Sequence, residues 1–452
     1  MLKNINELEE KYEVKLDDVQ LNALSSLINF IENGNPDMIC LSGKPGSGKT
    51  TILKMLIDIL NKNRILYTVA APTNKAKLLL SDHATTIHSL LGFAPNLNIL
   101  EFDARDLRFN QQFAVKMPYQ EVVIVDECSM INDEMFYFFR DRLCKTYKNI
   151  IIWSGDAKQL CPVKQNHISK TFTDCHLIKL EKVYRQKESI LYKVLDYLRV
   201  KPLYKFKSVE DDNYTINVCN NIHTILDTYT PLFKFASDSR NLNCIKLVTY
   251  TNNRISALNQ VIRNRIFNDD SEYHVGEILT GYDSCHCGPT HSDIDNSQDY
   301  IIEKVKKITR LGLPMYELKL FDGNNYKSVH ILSRNLPSDT YESLARDLER
   351  ARQKGLTLKS WGEFYKLNSS FLTPVDLVYD NRVIKRKSLD YGYCISTHKS
   401  QGSTYQFVIV DMENLLRCPN KEELRQLQYV AMSRASGGLI IYYKSNDNND
   451  YL

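Results

Sequence analysis

One short segment of the chain places glycines, a lysine and a hydroxyl at fixed spacing. It reads Gly43-Lys44-Pro45-Gly46-Ser47-Gly48-Lys49-Thr50 and fits the pattern G-x-x-x-x-G-K-[ST]. Glycines at these places let backbone N–H groups close around phosphate oxygens, and a helix that starts there adds a favourable field for an anion. We expect Lys49 to reach the β- and γ-phosphates and Thr50 to ligate Mg²⁺. A tight glycine-rich turn is the alternative, but the flanking strand and helix patterns favour a nucleotide site.

Two further segments carry polar side chains that suit hydrolysis. The apolar run 122–125 ends in Asp126 and Glu127. We expect Asp126 to hold Mg²⁺ through water and Glu127 to polarise an attacking water. The run 150–153 is followed by a loop with Gln159, whose side chain is long enough to sense the γ-phosphate from the neighbouring strand end. The second carboxylate favours hydrolysis over phosphoryl transfer to a substrate.

The composition is that of an ordinary globular protein. Hydrophobic residues make up 43% of the 452 residues and charged residues 25%. The length suggests about three domains. No apolar run reaches the ~18 residues of a membrane span, and the charged N-terminus lacks a secretion signal, so we expect no membrane association. The 11 cysteines include no C-x-x-C pair, which is typical of reduced thiols. The net charge is only +4, so a nucleic-acid partner would have to be bound by a local basic groove.

Short apolar runs alternate with helical patterns, and these elements must position the polar segments. The runs lie at residues 38–41, 65–70, 122–125, 150–153, 245–249, 407–410 and 439–442. Their length and β-branched content predict buried parallel strands, and the apolar spacing within 51–60 predicts a helix. One group of runs precedes about residue 165 and another follows about residue 240, which predicts two α/β domains with separate sheets. Residues 93–118 and 267–390 interrupt the alternation and are interpreted as insertions.

The order of the motifs resembles that of the superfamily 1 helicases, in particular their 5′-to-3′ subgroup with the RecD-like enzymes. The similar segments are residues 16–20, 70–76, 86–91, 183–186, 250–253, 391–404 and 429–435. Segment 391–404 reads YGYCISTHKSQGST and is the most diagnostic, although the family usually has Ala where this chain has Cys394. The resemblance implies an ATP-dependent DNA helicase that translocates 5′ to 3′ on single-stranded DNA and separates duplex in replication, recombination or repair.

The resemblance also implies a nucleotide site built from both groups of strands. Gln20 would contact the adenine, and Gly402 would line the nucleotide site. Arg185 and Arg434 would approach the γ-phosphate from a second motor domain, so that closure depends on the γ-phosphate charge. The implied catalytic residues are Lys49, Glu127, Gln159, Arg185 and Arg434.

Contacts with DNA follow from the same resemblance. The candidates in the motor domains are Pro72, Thr73, Asn74, His88, Thr397, His398 and Lys399. Hydroxyls and a cation suit phosphate contacts that hold a strand without reading its sequence. Phe109 resembles the aromatic tip of a duplex-splitting hairpin, with Phe102 as the alternative tip, and Trp361 and Phe364 could stack on bases. Each of these four aromatic side chains could instead pack in a local core.

The implied architecture is α/β, with two RecA-like P-loop motor domains. The first would comprise residues 1–92 and 117–165, with a small β-hairpin (pin) insertion at 93–116. The second would comprise 166–266 and 391–452, with an SH3-like β insertion at 267–390. The implied partners are single-stranded and forked DNA, with replication or single-strand-binding proteins as further candidates. We expect a monomer in the cytoplasm: the host cytosol for a phage protein, or the cytosol or nucleus for a protein of a eukaryotic virus.

Other interpretations of the sequence remain open. Phosphate-contacting motifs do not reject a 2′-OH, so a viral RNA helicase of the same superfamily is the nearest alternative. A P-loop kinase for a small molecule gives no role to Arg434 or to residues 397–404, and an inactive ATP-binding scaffold would not need the catalytic side chains. Cys285, His286, Cys287 and His291 suggest zinc, but C-x-C spacing is poor for tetrahedral ligation.

Overall fold

Two mostly parallel sheets and a separate antiparallel sheet, each with associated helices, make up the fold. The computed structural model describes residues 5–34, 37–72, 84–93, 102–105, 118–182, 189–285 and 294–444. The α-helices within these ranges are α1 Ile5–Lys11, α2 Asp18–Asn33, α3 Lys49–Lys62, α4 Ile87–Leu91, α5 Asp133–Phe138, α6 Ile190–Leu198, α7 Ile222–Asp238, α8 Asn252–Phe267, α9 Ser338–Leu358, α10 Gly362–Asn368, α11 Thr397–Ser400, α12 Met412–Leu415 and α13 Lys421–Met432. The strands are β1 Met38–Gly43, β2 Tyr67–Ala71, β3 Thr85–Thr86, β4 Val122–Val125, β5 Ile150–Gly155, β6 His176–Leu180, β7 Val209–Glu210, β8 Thr215–Cys219, β9 Ile245–Thr249, β10 Ile278–Gly281, β11 Asp299–Arg310, β12 Leu313–Phe321, β13 Tyr326–Leu332, β14 Leu377–Tyr379, β15 Arg382–Lys385, β16 Leu389–Tyr391, β17 Cys394–Ser396, β18 Tyr405–Asp411 and β19 Ala435–Tyr442.

The first sheet is parallel, and it positions the hydrolysis segments. Its strand order is β3-β2-β4-β5-β1-β6. Leu41, Ile124 and Ile152 face the apolar sides of α2 and α3 in one core, while Trp153 packs with Phe136 and Phe139 on the opposite face. Because β4, β5 and β1 are neighbours and parallel, their carboxyl ends lie at one edge of the sheet. The segments after these three strands therefore meet there.

The first motor domain extends further along the chain than predicted. β6 lies beyond the predicted boundary at residue 165 and pairs in parallel with β1, as in the register of Leu41 with Ile178. The sheet therefore ends at Leu180 rather than before residue 166. His176 and Lys179 are exposed and interrupt the apolar pattern of this edge strand, so the pattern predicted no strand there.

The second sheet has the order β17-β9-β18-β19-β8-β7 and is parallel except for the β7–β8 pair. It brings together strands that are distant in sequence, since β17 pairs with β9 and β18 lies between β9 and β19. The predicted runs 245–249, 407–410 and 439–442 lie in β9, β18 and β19. Together with the first sheet, this arrangement confirms the predicted α/β class with two RecA-like domains.

The chain leaves the second sheet after α8 and returns to it at β17. In between it forms an antiparallel sheet of order β13-β12-β11-β10-β16 and a hairpin of β14 and β15. Residues of this sheet share one apolar core with the second motor domain, where Leu279 and Tyr300 pack with Phe233 and Tyr393. The insertion sheet is therefore packed directly on the second motor domain. In the described ranges, no helix has the length and apolar character needed to cross a membrane.

Candidate active site

The phosphate loop, residues 43–50, connects β1 to α3. Gly46 and Gly48 have φ angles of 79° and 89°, a left-handed conformation that glycine adopts without strain. At Gly43, a Cβ atom would lie 2.5 Å from the Ser47 Oγ and 2.8 Å from the Leu180 carbonyl oxygen. The backbone therefore requires glycine at these positions, and α3 begins directly behind the loop, as anion binding by a helix N-terminus demands.

Lys49 and Gln20 both contact the carbonyl groups of this loop. The Lys49 Nζ donates to the carbonyl oxygens of Gly43 and Lys44 at 2.7 and 3.0 Å. Gln20 belongs to a capping box with Asp17 at the start of α2, and its Nε2 donates to the Ser47 carbonyl at 3.3 Å. The segment predicted to contact adenine is thus joined to the phosphate loop through Gln20.

Asp126 and Glu127 lie at the carboxyl end of β4. Glu127 has a left-handed φ of 54°, unusual for a non-glycine residue, and its carboxylate is directed into the same cavity as Lys49. Burial, followed by the charge of Asp126, raises the pKa of Glu127 to about 7, against the opposing effect of Arg434 and Lys49. Burial also raises the pKa of Asp126. Among the described residues, no side chain or backbone group hydrogen-bonds to the Glu127 Oε2, so this oxygen can accept a proton from water.

The donors near the phosphate loop fit Mg²⁺. Thr50 and Asp126 supply a hydroxyl and a carboxylate beside the cavity. In the described part of the chain, no group of three or more His, Cys, Asp or Glu side chains could hold a metal by itself. Mg²⁺ usually takes only one or two protein oxygens and completes its shell with phosphate and water, so a site with few protein ligands is the expected form.

A cavity of about 470 Å³ is lined by residues of both motor domains, including most of the predicted nucleotide-binding residues but not Gly43, Lys44 or Ser47. The lining residues of the first domain form what we call the first wall, and they are Val14, Lys15, Leu16, Gln20, Pro45, Gly46, Gly48, Lys49, Thr50, Thr51, Asp126, Glu127, Gly155 and Gln159. The lining residues of the second domain form the second wall, and they are Gly402, Thr404 and Arg434. The structure thus brings the predicted arginine of the second domain to the same cavity as the predicted base.

Arg434 is held in place by its own domain. Its Nε donates to the Val430 carbonyl at 3.0 Å, its Nη1 to the Ser403 carbonyl at 3.0 Å and its Nη2 to the Ser433 Oγ at 2.8 Å. Only 5% of the residue is exposed. A buried cation that is fixed in this way and faces a carboxylate across a cleft can stabilise negative charge on a transferring phosphoryl group.

The loop after β5 makes direct contacts with the second motor domain. Asp156 is fully buried and accepts from the Arg199 Nη1 at 2.8 Å and from the Tyr429 hydroxyl at 2.6 Å. Gln159 accepts from the Gln401 Nε2 at 3.0 Å. The sequence interpretation missed roles for Asp156, Arg199, Gln401 and Tyr429, although Gln401 and Tyr429 lie inside segments that carry the resemblance.

Several predicted strand contacts are not accessible in this structure. Thr397, a predicted DNA contact, is fully buried, and its Oγ1 donates to the Thr249 carbonyl at 3.2 Å. Lys399 is half-buried, and its Nζ donates to the Asn296 Oδ1 at 2.6 Å instead of facing a strand. Pro72 and His88 are buried as well. Of the motor-domain candidates within the described residues, His398 alone is exposed.

The aromatic candidates have different surroundings. Phe102, the alternative tip, is 4% exposed and stacks on Phe93 at 5.6 Å in the core of the first motor domain, which favours the packing interpretation for this ring. Trp361 is partly exposed and covers Gly355, where a Cβ atom would lie 2.6 Å from the indole. Phe364 packs partly against the core formed by α9 and the insertion strands.

Some predicted residues lie outside the described ranges. They are Thr73, Asn74, Phe109, Arg185, His286, Cys287 and His291. Cys285 is described, is buried and forms an isolated bridge with Ile294.

The fold and the cavity together define a P-loop nucleoside triphosphatase with two RecA-like domains. The family model of an AAA domain matches residues 29–165, and that of a UvrD-like helicase C-terminal domain matches residues 391–442. The uncharacterized protein R530 of Acanthamoeba polyphaga mimivirus is 25% identical over 92% of this chain and 97% of its own length. The ATP-dependent DNA helicase dda of Enterobacteria phage T4 is 26% identical over 81% of this chain and 82% of its own length. The crystal structure of Pif1 helicase from Bacteroides in complex with ADP-AlF3 and ssDNA superposes with a TM-score of 0.52 at 18% identity, covering 94% of this chain and 92% of that chain. These matches confirm the predicted resemblance to the superfamily 1 helicases.

Proposed function

We propose that this protein is an ATP-hydrolysing DNA helicase that translocates 5′ to 3′ on single-stranded DNA and separates duplex. The observation that carries the proposal is the cavity shared by the two motor domains, in which Arg434 of the second domain faces Glu127 and Lys49 of the first. A nucleotide in this cavity would be contacted by both domains, so hydrolysis can change their contact. Alternating contact between two domains that grip one strand produces translocation.

Each residue of the cavity has a defined part in this reaction. Lys49 and the loop N–H groups bind the phosphates, and Glu127 accepts the proton of the attacking water. Thr50 and Asp126 would hold Mg²⁺, which neutralises phosphate charge when bound. Gln159 and Arg434 stabilise the charge that develops on the γ-phosphoryl group. Arg185 is proposed from its motif as a second cation at this phosphate.

Single-stranded and forked DNA are the proposed partners. Phage T4 dda is named a DNA helicase, and the Bacteroides Pif1 structure contains ssDNA. In this chain, exposed His398 lies on α11, shortly before Gly402, which lines the nucleotide cavity. Among the remaining sequence candidates, Thr73, Asn74, Trp361 and Phe364 stay proposals as strand contacts.

A monomer in a reducing compartment is the proposed working form. Cysteines such as Cys40, Cys128 and Cys394 are free thiols, as expected in the cytosol or nucleus. Replication or single-strand-binding proteins remain proposed partners by analogy of function.

The proposed function is tested by the nucleic acid that stimulates ATP turnover and by the polarity of unwinding. We expect stimulation by single-stranded DNA above that by duplex DNA or RNA, and unwinding of partial duplexes with a 5′ tail but not of those with a 3′ tail. Stimulation by RNA alone would support the RNA-helicase alternative. Turnover that is independent of nucleic acid and requires a small acceptor would support the kinase alternative.

Phe109 is the proposed duplex-separating residue of the pin insertion. Loss of an aromatic stacking contact on the last base pair removes ~1–3 kcal/mol, which is comparable to one base-pair step. We expect Phe109→Ala to retain single-strand-stimulated ATP turnover and translocation while it unwinds duplex poorly. Normal unwinding by this variant in a stopped-flow assay would exclude Phe109 as the separating residue. Phe102→Ala is no alternative test, since this buried side chain contributes to the domain core.

A further inference from the structure

The loop of residues 155–161 belongs to the first motor domain but is held by side chains of the second. Besides the contacts of Asp156, the Gln426 Oε1 accepts from the Cys161 backbone N–H at 3.2 Å. The Gln401 Nε2 donates to the Gln159 Oε1 at 3.0 Å. The conformation of this loop therefore depends on contacts with the second domain as well as on its own sheet.

Gln401 makes the contact that lies nearest to the chemistry. It is 6% exposed, and its Nε2 donates to two acceptors of the first domain, the Gln159 Oε1 and the Ser129 Oγ, both at 3.0 Å. Both hydrogens of the carboxamide nitrogen are thereby used. Gln401 follows α11, and its backbone N–H donates to the His398 carbonyl at 3.3 Å, so its main chain is fixed to the helix that carries the exposed histidine.

The contact determines which end of the Gln159 carboxamide faces the nucleotide cavity. Gln159 is 5% exposed and lines the cavity. Because its Oε1 is bound to Gln401, its Nε2 remains as the donor for an anionic phosphate oxygen. A carboxamide with the opposite orientation would present its oxygen to the phosphate, which repels it.

We propose that Gln401 is a positioning residue for ATP hydrolysis, which orients the Gln159 carboxamide toward the γ-phosphate only when the two motor domains are in contact. The inference rests on the proposed function and deepens it. It gives the second domain a hydrogen-bonding role in catalysis in addition to the charge of Arg434. It also links the helix of His398 to the γ-phosphate through one side chain, so that strand binding at α11 can change turnover.

The test compares Gln401→Met and Gln401→Glu with the wild type. Methionine keeps the length of the side chain but donates no hydrogen bond, and glutamate can only accept, so it would turn the Gln159 carboxamide around. We expect both changes to lower kcat for single-strand-stimulated ATP hydrolysis by about tenfold or more, with the larger loss for Gln401→Glu, and to leave KM for ATP and the Kd for single-stranded DNA within about threefold.

A double-mutant cycle with Gln159→Ala separates positioning from general support. If Gln401 acts through Gln159, the double variant Gln159→Ala/Gln401→Met should be no slower than Gln159→Ala alone. Multiplicative losses in the double variant would overturn the proposal, as would wild-type kcat of Gln401→Met. Both of these outcomes would reject the role of Gln401 but leave the proposed function standing. The proposed function would be rejected if the wild-type protein showed no turnover that single-stranded DNA stimulates.

Gln428→Met is the matched control. Gln428 is a fully buried glutamine of α13, and its Nε2 donates to the Leu203 carbonyl at 2.6 Å, within the second motor domain. The variant loses a buried carboxamide but no contact across the cleft. We expect any kcat loss of Gln428→Met to arise from a loosened fold. In the double variant, this loss should therefore multiply with the loss of Gln159→Ala. If the double variant Gln159→Ala/Gln428→Met also had the same kcat as Gln159→Ala alone, the role of Gln401 would not be specific.

Discussion

The two walls of the nucleotide cavity are built in different ways. The first wall consists mainly of consecutive residues at the ends of adjacent parallel strands, and the backbone of Gly46 and Gly48 shapes it without help from another domain. The second wall consists of side chains that reach the cavity only because the two domains are in contact, with Arg434 supported by the Ser403 and Val430 carbonyls. We therefore expect nucleotide binding to depend on the first wall alone, whereas catalysis should require both walls.

Removal of Lys49 from the first wall should have the largest effect. We expect Lys49→Ala to reduce ATP turnover to background and to weaken ATP binding, because no other cation of the loop faces the transferring phosphate. Radioactive ATPase assays and calorimetric titration with a non-hydrolysable analogue measure the two effects. Lys54→Ala, on the same helix α3, is the control and should behave as the wild type. Nearly normal hydrolysis by Lys49→Ala would contradict the assignment of the whole cavity.

Removal of Arg434 from the second wall should affect turnover but not binding. We expect Arg434→Ala to lower kcat by roughly 10³-fold, by analogy with the loss of an arginine finger, and to leave the Kd for ATP close to that of the wild type. Arg417→Ala serves as the control, since Arg417 is exposed on the same domain. If Arg434→Ala weakens ATP binding as strongly as Lys49→Ala does, the proposed difference between the walls does not exist.

The same difference explains which parts of the site could be predicted from the sequence. The first wall was predictable because its chemistry follows from local spacing: a strand, a glycine-rich loop, a helix and two carboxylates after an apolar run. The hydrogen bond between Gln159 and Gln401 joins residues 242 positions apart, and no local pattern encodes it. Arg199 has no sequence signal at all, although it neutralises the buried Asp156.

The strand contacts were predicted from the resemblance, and burial changes how two of them are interpreted. Hydroxyl and ammonium groups suit phosphate, but they also suit backbone carbonyls, and Thr397 and Lys399 bond to protein groups instead. Phe102 fills the local core, an alternative that the sequence left open. In the fold, the exposed edge strand β6 was missed because His176 and Lys179 break its apolar pattern, while the buried strands β1, β4, β5 and β9 were located correctly.

The pH dependence of turnover tests whether Glu127, in the first wall, is the general base. Its pKa is raised to about 7, mainly by burial, and only the ionised carboxylate accepts a proton from water. The protonated form therefore predominates below pH 7 in the free enzyme, and kcat/KM for ATP should fall about tenfold per pH unit on the acid side and level off above about pH 8. The residual turnover of Glu127→Gln should lack this acid limb. A wild-type profile that is flat between about pH 5.5 and about pH 8 would be inconsistent with Glu127 as the base.

The smallest expected effect concerns the contact that joins the walls. Arg199→Met removes the guanidinium that donates to Asp156 at 2.8 Å, but the Tyr429 hydroxyl still donates to the same carboxylate at 2.6 Å. Asp156 also keeps the hydrogen bond from the Lys158 backbone N–H at 3.0 Å. We expect these remaining hydrogen bonds to limit the loss of domain contact to about 1 kcal/mol, which should lower single-strand-stimulated kcat about fivefold. ATP affinity should not change, because the first wall is intact.

Arg265→Met provides the matched comparison for Arg199→Met. Arg265 pairs with Asp227 at 3.0 Å on the surface of the second motor domain, where an ion pair contributes little and does not reach the first domain. Stimulated turnover of Arg265→Met should therefore equal that of the wild type. If the two arginine variants have the same kcat, the pairing of Asp156 with Arg199 does not transmit domain contact to the cavity. If Arg199→Met weakens ATP binding instead of turnover, the loop after β5 supports the first wall directly, and contact between the domains contributes to binding as well as to catalysis.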